Sequence, residues 1–336
     1  MHGDILLLSC YELGHAPAGI AWPAAFLRRA GFSPQVIDLA TCELDEAAVR
    51  EAQLVAISVP MHTALRLAVP VARRIRELNA AAHICFHGLY AQLNREWLLA
   101  NVADSCLGGE SEQALVALCE ALARGESAPM PAAPLLARPD YPIPDGSGLA
   151  GDYAELLDNG HSVQAGFAEA TRGCKYTCRH CPVTPVYNGR FFVVPVENVL
   201  QQVRKQVAGG ARHITFGDPD FLNGPRHALR VAEALHAEFP QLTFDITAKV
   251  EHLLDHADLL PQLAERGCLF IVTAVESLSD HVLEILDKGH TRSDVERALA
   301  ATRAAGIAMR PSLVAFTPWT TLDDYLELFE FAADNA

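Results

Sequence analysis

Hydrophobic and polar positions alternate along the first third of the chain in blocks that predict strands followed by helices. Short continuous apolar runs predict buried parallel strands, because both faces of such strands are covered. These runs lie at residues 4–9, 35–39, 54–59, 83–87 and 104–107. Segments with apolar positions three or four residues apart separate most of them and predict helices. The alternation predicts a doubly wound, Rossmann-like α/β domain, whose ligands bind at the carboxyl ends of the strands.

A second series of strands and helices begins after residue 160. Strands are predicted at residues 162–170, 212–216, 242–248, 268–275 and 307–316, with helices between them and a last helix from about residue 321. Five strand–helix units of this kind predict part of a β/α barrel, whose active-site rim is the carboxyl end of its strands. Because the chain ends within a predicted helix, we expect the barrel to be incomplete at the C-terminus.

A stretch rich in proline and glycine separates the two series. Residues 126–151 show no hydrophobic period, which favours a semi-rigid, extended connection. We therefore predict one domain over residues 1–125, a linker over residues 126–160 and a second domain over residues 161–336.

Composition narrows the class of protein. Half of the 336 residues are hydrophobic and 20% are charged, as in ordinary soluble domains. The net charge of −15 argues against a nucleic-acid or anionic-membrane partner. No apolar run reaches the ~18 residues of a membrane span and no signal peptide is evident, so we expect a cytoplasmic protein.

Three of the nine cysteines form a C-x3-C-x2-C motif in a polar loop after a predicted strand. They are Cys174, Cys178 and Cys181. Thiolates at this spacing can bind one iron–sulfur cluster, and three ligands leave one of its four irons open. A structural zinc site completed by His180 or a distant histidine is the alternative, because Cys3His is a common zinc set. The other six cysteines lie in apolar segments and are expected to be reduced, small buried hydrophobic residues.

The cysteine spacing, with His180 just before the last cysteine, resembles the signature of the radical S-adenosylmethionine (SAM) enzymes. The resemblance covers most of the chain. It implies a [4Fe–4S] cluster on Cys174, Cys178 and Cys181, with SAM chelated to the open iron and cleaved reductively to a 5′-deoxyadenosyl radical. It also implies a partial TIM-type (β/α)6 barrel, a reductant such as flavodoxin or ferredoxin, and a substrate that the residues do not identify.

The resemblance also places SAM contacts at predicted strand ends. Gly217 and Asp218, in the turn Gly217-Asp218-Pro219-Asp220, would receive the SAM amino group. Glu276, followed by Ser277, would accept the ribose hydroxyls. An Asp-Pro turn that caps the next helix is the alternative for Asp218.

Further predicted contacts rest on position alone. Lys249 and Glu251 would reach SAM or substrate, or form a solvated ion pair at a helix start. Arg310 would pair with the SAM carboxylate, since a charge within a strand needs a partner if it is buried. His180 would lie beside adenine or on the surface. Phe316 and Trp319 would wall the pocket or belong to the core.

The first domain resembles the cobalamin-binding domain found ahead of many radical SAM domains. Its turn Gly108-Gly109-Glu110 is similar to a late glycine–glutamate turn of that group. The Asp-x-His-x-x-Gly element that supplies an axial histidine is not matched, since His15 has the wrong spacing. Cobalamin would therefore bind without a histidine ligand. The alternative is a degenerate Rossmann-like scaffold that binds no cofactor.

Three phrases, at residues 8–15, 286–291 and 316–320, resemble the radical SAM proteins named for a C-terminal Cys/Sec-Cys-Ala-Glu-Pro tail, which this chain lacks. The expected function is SAM cleavage for C–H functionalisation or for methyl or other group transfer, with or without cobalamin. A non-catalytic binding module stapled by zinc or a cluster is the competing hypothesis.

Overall fold

The computed structural model describes residues 2–127, 131, 133–149, 153–158 and 160–335. The chain divides into two compact units, residues 1–166 with 185–187, and residues 167–184 with 188–336. Parts of the predicted linker, residues 128–130, 132, 150–152 and 159, lie outside the described residues.

The first unit is built on a parallel five-stranded sheet of order β2-β1-β3-β4-β5. Its strands and helices are β1 (His2–Ser9), α1 (Ala18–Arg29), β2 (Ser33–Asp38), α2 (Glu46–Glu51), β3 (Leu54–Ser58), α3 (His62–Leu78), β4 (His83–His87), α4 (Leu89–Leu93), α5 (Arg95–Asn101), β5 (Ser105–Leu107) and α6 (Glu112–Ala123). The strand order reverses beside β1, as in a doubly wound domain.

Successive residues of the central strands enter two different cores. On β1, Leu6 and Leu8 pack in one apolar cluster, and Ile5 and Leu7 pack in the other. A strand that is covered on both faces needs an uninterrupted apolar run, which is the pattern in the sequence. The doubly wound prediction is confirmed.

The described part of the proline-rich stretch packs on the first unit. Leu135 accepts a hydrogen bond from the N–H of Glu110 and donates one to the carbonyl of Gly108. The Tyr141 ring meets Trp22 edge-on at 5.4 Å between centroids. These contacts hold the described parts of the stretch against the end of β5 and against α1.

The second sheet has six strands in the order β13-β12-β11-β10-β7-β6. The remaining elements are β6 (Glu155–Asp158), β7 (His161–Ala168), β8 (Thr171–Gly173), α7 (Thr184–Tyr187), β9 (Phe191–Val193), α8 (Val196–Ala208), β10 (His213–Phe216), α9 (Pro225–Glu238), β11 (Thr243–Ala248), α10 (Val250–Asp255), α11 (Leu260–Glu265), β12 (Cys268–Glu276), α12 (Asp280–Ile285), α13 (Arg292–Ala304), β13 (Ala308–Leu313) and α14 (Leu322–Asn335). Strands β10 to β13 are parallel neighbours with helices between them, which confirms the partial β/α barrel.

Three short strands were not predicted. Strand β6 lies within the predicted linker and pairs antiparallel with β7. Strands β8 and β9 form a separate antiparallel pair, with Gly173 opposite Phe191. This pair closes the base of the cysteine loop. Strands of three or four residues carry too little hydrophobic alternation to be recognised from sequence.

Apolar side chains are exposed between β13 and α14 and on α14 itself. Phe316 is 76% exposed and Trp319 is 43% exposed, so neither belongs to a core. On α14, Leu322, Leu326 and Phe329 are exposed at helical spacing. Within the described chain, no helix combines the length and apolarity needed to cross a bilayer.

Candidate active site

The cysteine loop leaves strand β8 at Gly173, whose φ of +76° favours glycine. Cys178 is buried, whereas Cys174 and Cys181 are partly exposed. The backbone of Cys178 accepts hydrogen bonds from the N–H of Cys181 at 3.2 Å and from the hydroxyl of Thr184 at 3.0 Å. These bonds form a turn that carries Cys178 and Cys181, with Cys174 four positions before it.

All three thiols are free. Burial raises the pKa of Cys174 to about 11, and the nearby charges of Asp220, Cys181 and Cys178 act in the same direction. In the described part of the chain, no three His, Cys, Asp or Glu side chains are gathered at metal-binding geometry. The loop supplies three free thiols, which are the ligand type of a cluster or of zinc, although they are not gathered around one point here. Binding either metal centre would displace thiol protons.

Glu276 ends strand β12 in an unusual backbone conformation, with a φ of +67°. Its Oε1 contacts His180 Nε2 at 3.2 Å and accepts from Lys288 Nζ at 3.3 Å. Burial alone would raise its pKa, but the hydrogen bond from His180 and the charge of Lys288 outweigh burial and hold the pKa of Glu276 below its usual value. No described residue donates to Oε2. Oε1 thus contacts the cysteine loop through His180, and Oε2 has no donor among the described residues.

Lys288 was not assigned a role from the sequence, although it lies in the phrase at residues 286–291. Its side chain is only 3% exposed and is paired with Glu276. Two positions earlier, the carbonyl of Leu286 accepts a hydrogen bond from the N–H of Arg179 at 3.1 Å, so this segment also holds the cysteine loop. A lysine beside a glycine carries no burial signal, so only the fold reveals this pair.

The structure argues against a SAM contact by Asp218. Its side chain is 2% exposed, and its oxygens accept from the Ala170 N–H at 3.0 Å and the Thr171 hydroxyl at 2.6 Å. Burial raises the pKa of Asp218 to about 7 against the effect of these bonds. The prediction of an exposed carboxylate is wrong, because the side chain turns inward and fixes the strand before the cysteine loop.

The rest of the Gly217-Asp218-Pro219-Asp220 turn is also structural. A Cβ at Gly217 would lie 2.0 Å from the Phe167 ring, and the Gly217 N–H donates to Ala168. Asp220 is buried and contacts His252 Nδ1 at 2.8 Å. Glycine is required at residue 217 by an aromatic neighbour, and its N–H is engaged within the sheet. The SAM amino group would need the Gly217 carbonyl as acceptor, so that contact stays a prediction.

Lys249 and Glu251 form the ion pair that was considered as the alternative. The Lys249 side chain is 8% exposed, so this pair is buried at its lysine end and is not the solvated pair expected. Its Nζ lies 3.7 Å from the centre of the Tyr176 ring. Lys249 therefore packs on the cysteine loop through a cation–π contact.

Ser277 and Arg310 take different positions from those expected. The Ser277 hydroxyl accepts from the Ser279 N–H at 3.1 Å and so shapes the turn before α12. Arg310 is exposed on the edge strand β13, and its guanidinium lies 3.5 Å from the centre of the Phe270 ring. It is not a buried charge, so burial gives no reason to pair it with SAM.

A polar network inside the second sheet was missed by the sequence analysis. His213 contacts Asp245 and Thr243 at 2.8 Å each, and Thr215 donates to the same Asp245 oxygen at 2.7 Å. His213 and Asp245 are buried. Charged residues within otherwise apolar strands are a signal that could have revealed it, because a buried charge requires a partner.

The carboxyl edge of the first sheet carries a row of buried polar residues. Ser9 is in register with Asp38 on one side and Ser58 on the other, and Ser58 is in register with His87. Each is at most 3% exposed. Ser9 Oγ and His87 Nε2 make no hydrogen bond of normal geometry with the described residues. Ser9 Oγ is nevertheless close enough to the Asp38 carboxylate to act against the rise that burial causes in the pKa of Asp38. Burial lowers the pKa of His87 to about 4, so its ring is neutral.

Unpaired buried polar atoms are rare in native proteins and call for an explanation such as a bound group. Their place at the carboxyl edge of a doubly wound sheet is where ligands of such sheets bind. The Glu110 carboxylate of the glycine–glutamate turn, by contrast, accepts from the hydroxyls of Tyr141 at 3.1 Å and Tyr187 at 2.8 Å. The edge therefore fits a ligand with polar groups at Ser9 and His87, while Glu110 is already engaged.

Two family models match the chain. The radical SAM superfamily model matches residues 169–332, and the B12 binding domain model matches residues 5–119. The first range contains the cysteine loop and strands β10 to β13. The second contains the whole row of polar strand ends.

Curated relatives match about half of the chain. The ribosomal protein uS12 methylthiotransferase RimO of Parabacteroides distasonis is 26% identical over 182 residues, which is 50% of this chain and 41% of the relative. The tRNA-2-methylthio-N(6)-dimethylallyladenosine synthase of Desulfosudis oleivorans is 29% identical over 175 residues, 49% of this chain and 37% of that protein. The chain thus spans about two fifths of the length of these relatives.

Solved structures share the fold over the full chain. The radical SAM methyltransferase TsrM from Kitasatospora setae, with cobalamin and a [4Fe–4S] cluster bound, superposes with a TM-score of 0.75 at 18% identity. The match covers 100% of this chain and 71% of TsrM. The cobalamin-dependent radical SAM enzyme OxsB gives a TM-score of 0.68 at 17% identity, covering 97% of this chain and 51% of OxsB. At these identities the likeness extends to the fold.

Proposed function

Because the chain joins a B12-binding domain to a domain of the radical SAM superfamily, we propose that it transfers a methyl group derived from SAM to a small-molecule or macromolecular substrate. The cofactors would be a [4Fe–4S] cluster, SAM and cobalamin. When bound, these groups supply one-electron chemistry at the SAM sulfur and a carrier for the methyl group. The names of both curated relatives and of TsrM describe transfer of methyl or methylthio groups.

Cys174, Cys178 and Cys181 would hold the cluster. They share one loop, none is in a disulfide, and the loop is tied at its base by β8 and β9. His180 is turned towards Glu276 through Nε2, the contact that orients the loop on β12. Zinc completed by His180 would use Nδ1, with the Nε2 contact to Glu276 as its support, and the colour of the reconstituted protein separates the two metals.

Glu276 would position SAM through Oε2, the oxygen that no described residue occupies. A carboxylate can accept both ribose hydroxyls, and its strained backbone is of the kind found where a side chain is aimed for function. Lys288 keeps this carboxylate ionised by pairing with Oε1. Gly217 keeps its predicted contact with the SAM amino group through its carbonyl oxygen, whereas the Asp218 oxygens already accept from Ala170 and Thr171.

Ser9 and His87 would hold polar groups of cobalamin at the edge of the first sheet. Their unpaired atoms, Oγ and Nε2, are the donors and acceptors that such a ligand would satisfy. The neutral His87 ring can donate or accept at Nε2, according to its tautomer. That no nucleic acid is bound rests on net charge alone and stays a prediction.

The observation that carries the proposal is the cysteine loop held by the His180–Glu276–Lys288 contacts at the carboxyl end of a barrel strand. The test is anaerobic reconstitution with iron and sulfide, followed by incubation with SAM and dithionite. We expect brown protein with visible iron–sulfur absorbance and nucleoside products of SAM by mass spectrometry. Cys178→Ala should lose both signals, because a cluster on two thiolates is not retained.

Cys42→Ala is the matched control, since Cys42 is an exposed free thiol outside the loop. It should keep the absorbance and the products. Colourless protein that binds zinc and leaves SAM intact would contradict the proposal and favour the non-catalytic module. Equal loss in the two variants would contradict the ligand assignment.

A further inference from the structure

The cysteine loop lies in the middle of a stretch that is unlike the rest of the chain in charge. Residues 170–196 contain four of the 26 Lys and Arg residues and none of the 41 Asp and Glu residues. The other 309 residues therefore hold every carboxylate side chain and 22 of the basic residues. This segment therefore creates a local positive potential, although the whole chain has a net charge of −15.

Three of these four cations are on the surface. Lys175, Arg179 and Arg190 are exposed, whereas Arg172 is largely buried and paired with Glu169 at 3.2 Å. Among the described residues, no carboxylate forms an ion pair with Lys175, Arg179 or Arg190. Charges without an internal partner contribute to the field that a second protein experiences.

Lys175 and Arg190 belong to one surface although fifteen positions separate them. A Cβ placed on Gly189 would lie 3.4 Å from the carbonyl oxygen of Lys175 and 3.7 Å from the Thr177 side chain. Gly189 therefore packs directly on the cysteine loop and brings Arg190 beside it. Arg179, four positions after Lys175, donates its N–H to the Leu286 carbonyl and its guanidinium to the Ile285 carbonyl at 3.4 Å.

The patch directly covers the loop that bears the thiols. Lys175 follows Cys174, and its Nζ lies 5.3 Å from the centre of the Tyr176 ring, midway along the loop between Cys174 and Cys178. A partner that docks on Lys175 and Arg190 would approach the proposed metal centre across a few residues. Short distance is what one-electron transfer between proteins needs.

We propose that Lys175, Arg179 and Arg190 form the docking surface for a small acidic electron-carrier protein of the flavodoxin or ferredoxin type. This inference rests on the proposed function. One electron leaves the reduced carrier, which is oxidised by one electron, and enters the metal centre on Cys174, Cys178 and Cys181; no atom is transferred. Opposite charge accelerates encounter and sets orientation, and its effect decreases with salt.

The test compares two reductants on the reconstituted full chain. Dithionite needs no docking, whereas reduced flavodoxin does. Lys175→Glu/Arg190→Glu should lower the initial rate of flavodoxin-driven SAM cleavage by about tenfold or more at low salt. The same variant should keep its iron content and its dithionite-driven rate. The difference should shrink as ionic strength rises, and calorimetry with oxidised flavodoxin should show weaker binding.

Arg66→Glu/Arg73→Glu is the matched control. Both arginines are exposed on α3, away from the cysteine loop in sequence and in a different unit, and the pair changes net charge by the same amount. A fall in the flavodoxin-driven rate equal to that of the loop variant would overturn the docking surface in favour of a general charge effect. An unchanged rate in the loop variant would overturn it outright. No SAM cleavage by unmodified protein with either reductant would instead overturn the proposed function.

Discussion

Both sheets carry polar residues at the carboxyl ends of their strands, but the hydrogen bonding of these residues differs between the two units. At the rim of the second sheet, each of the carboxylates Asp218, Asp220 and Glu276 receives hydrogen bonds from neighbouring groups. At the edge of the first sheet, Ser9 and His87 are as deeply buried and have unpaired polar atoms among the described residues.

The difference indicates two kinds of site. At the rim of the second sheet, the oxygens of Asp218 and Asp220 all have donors, and Glu276 Oε2 has none among the described residues. Two histidine nitrogens beside these carboxylates, His252 Nε2 and His290 Nδ1, also have no partner there. The edge of the first sheet is incomplete without a bound group, because an unpaired buried polar atom costs about 1–3 kcal/mol. A polar strand end is therefore a ligand contact only where the fold leaves it unpaired.

The largest expected effect comes from breaking the Glu276–Lys288 pair. Glu276→Gln leaves the Lys288 ammonium buried without a countercharge, and loss of one partner of a buried pair costs about 3 kcal/mol or more. Urea unfolding and hydrogen exchange should show lower stability, with faster exchange at residues 285–290. SAM affinity should also fall, by roughly tenfold or more, because a charged hydrogen-bond acceptor is lost.

Glu276→Gln/Lys288→Met separates the two effects. The double variant should recover most of the stability, since neither charge remains, but not the affinity for SAM. Recovery of both would mean that Glu276 has only a structural role. Unchanged SAM affinity in either variant would show that Oε2 is not a SAM contact.

A smaller effect is expected from Asp218, visible in the pH dependence of stability. Its pKa of about 7 in the folded protein lies above the ordinary value of 3.8, so the folded state holds a proton that the unfolded state releases. This contribution is complete below about pH 4 and is lost as the pH rises through about 7. Asp218→Asn stays neutral, so its free energy of unfolding should fall less over this range.

Urea titrations at several pH values measure that slope. The curves of the wild type and of Asp218→Asn should diverge in slope between about pH 4 and 7. Parallel curves would mean that the Asp218 carboxyl does not titrate in this window. A loss of SAM binding in Asp218→Asn at unchanged stability would restore the SAM contact first predicted for this residue.

The smallest effect is expected at the edge of the first sheet. Ser9→Ala removes a polar atom that has no described partner, so the protein without cobalamin should lose little stability or gain some. Cobalamin affinity, measured by equilibrium dialysis, should fall about fivefold, the worth of one hydrogen bond of about 1 kcal/mol. Ser33→Ala, at the opposite end of the neighbouring strand, is the control.

A result in which Ser9→Ala destabilises the cobalamin-free protein by more than Ser33→Ala would show that Ser9 has a partner within the fold. Ser9 would then be hydrogen-bonded within the protein, like the carboxylates Asp218 and Asp220 of the second sheet. Equal cobalamin affinity in both variants would exclude Ser9 from the cobalamin contacts.

Local patterns in the sequence were enough to predict the architecture and the cysteine loop. The continuous apolar runs of β1 and β3 predict strands that are covered on both faces. The spacing from Cys174 to Cys181 puts three thiols within eight residues of one loop. These properties are local, because they depend on neighbours a few positions away.

Which polar side chains at strand ends have hydrogen-bond partners inside the protein depends on the tertiary fold. Asp218 meets Thr171 across 47 positions, and His180 meets Glu276 across 96. Such pairs depend on the register of strands and on which way a side chain turns at a strand end. No local pattern reveals the orientation of such a side chain, because the sequence of an aspartate before a proline is the same whether the aspartate faces a ligand or the core. Whether its oxygens find donors inside the protein is settled by packing, and that packing distinguishes Asp218 from Glu276.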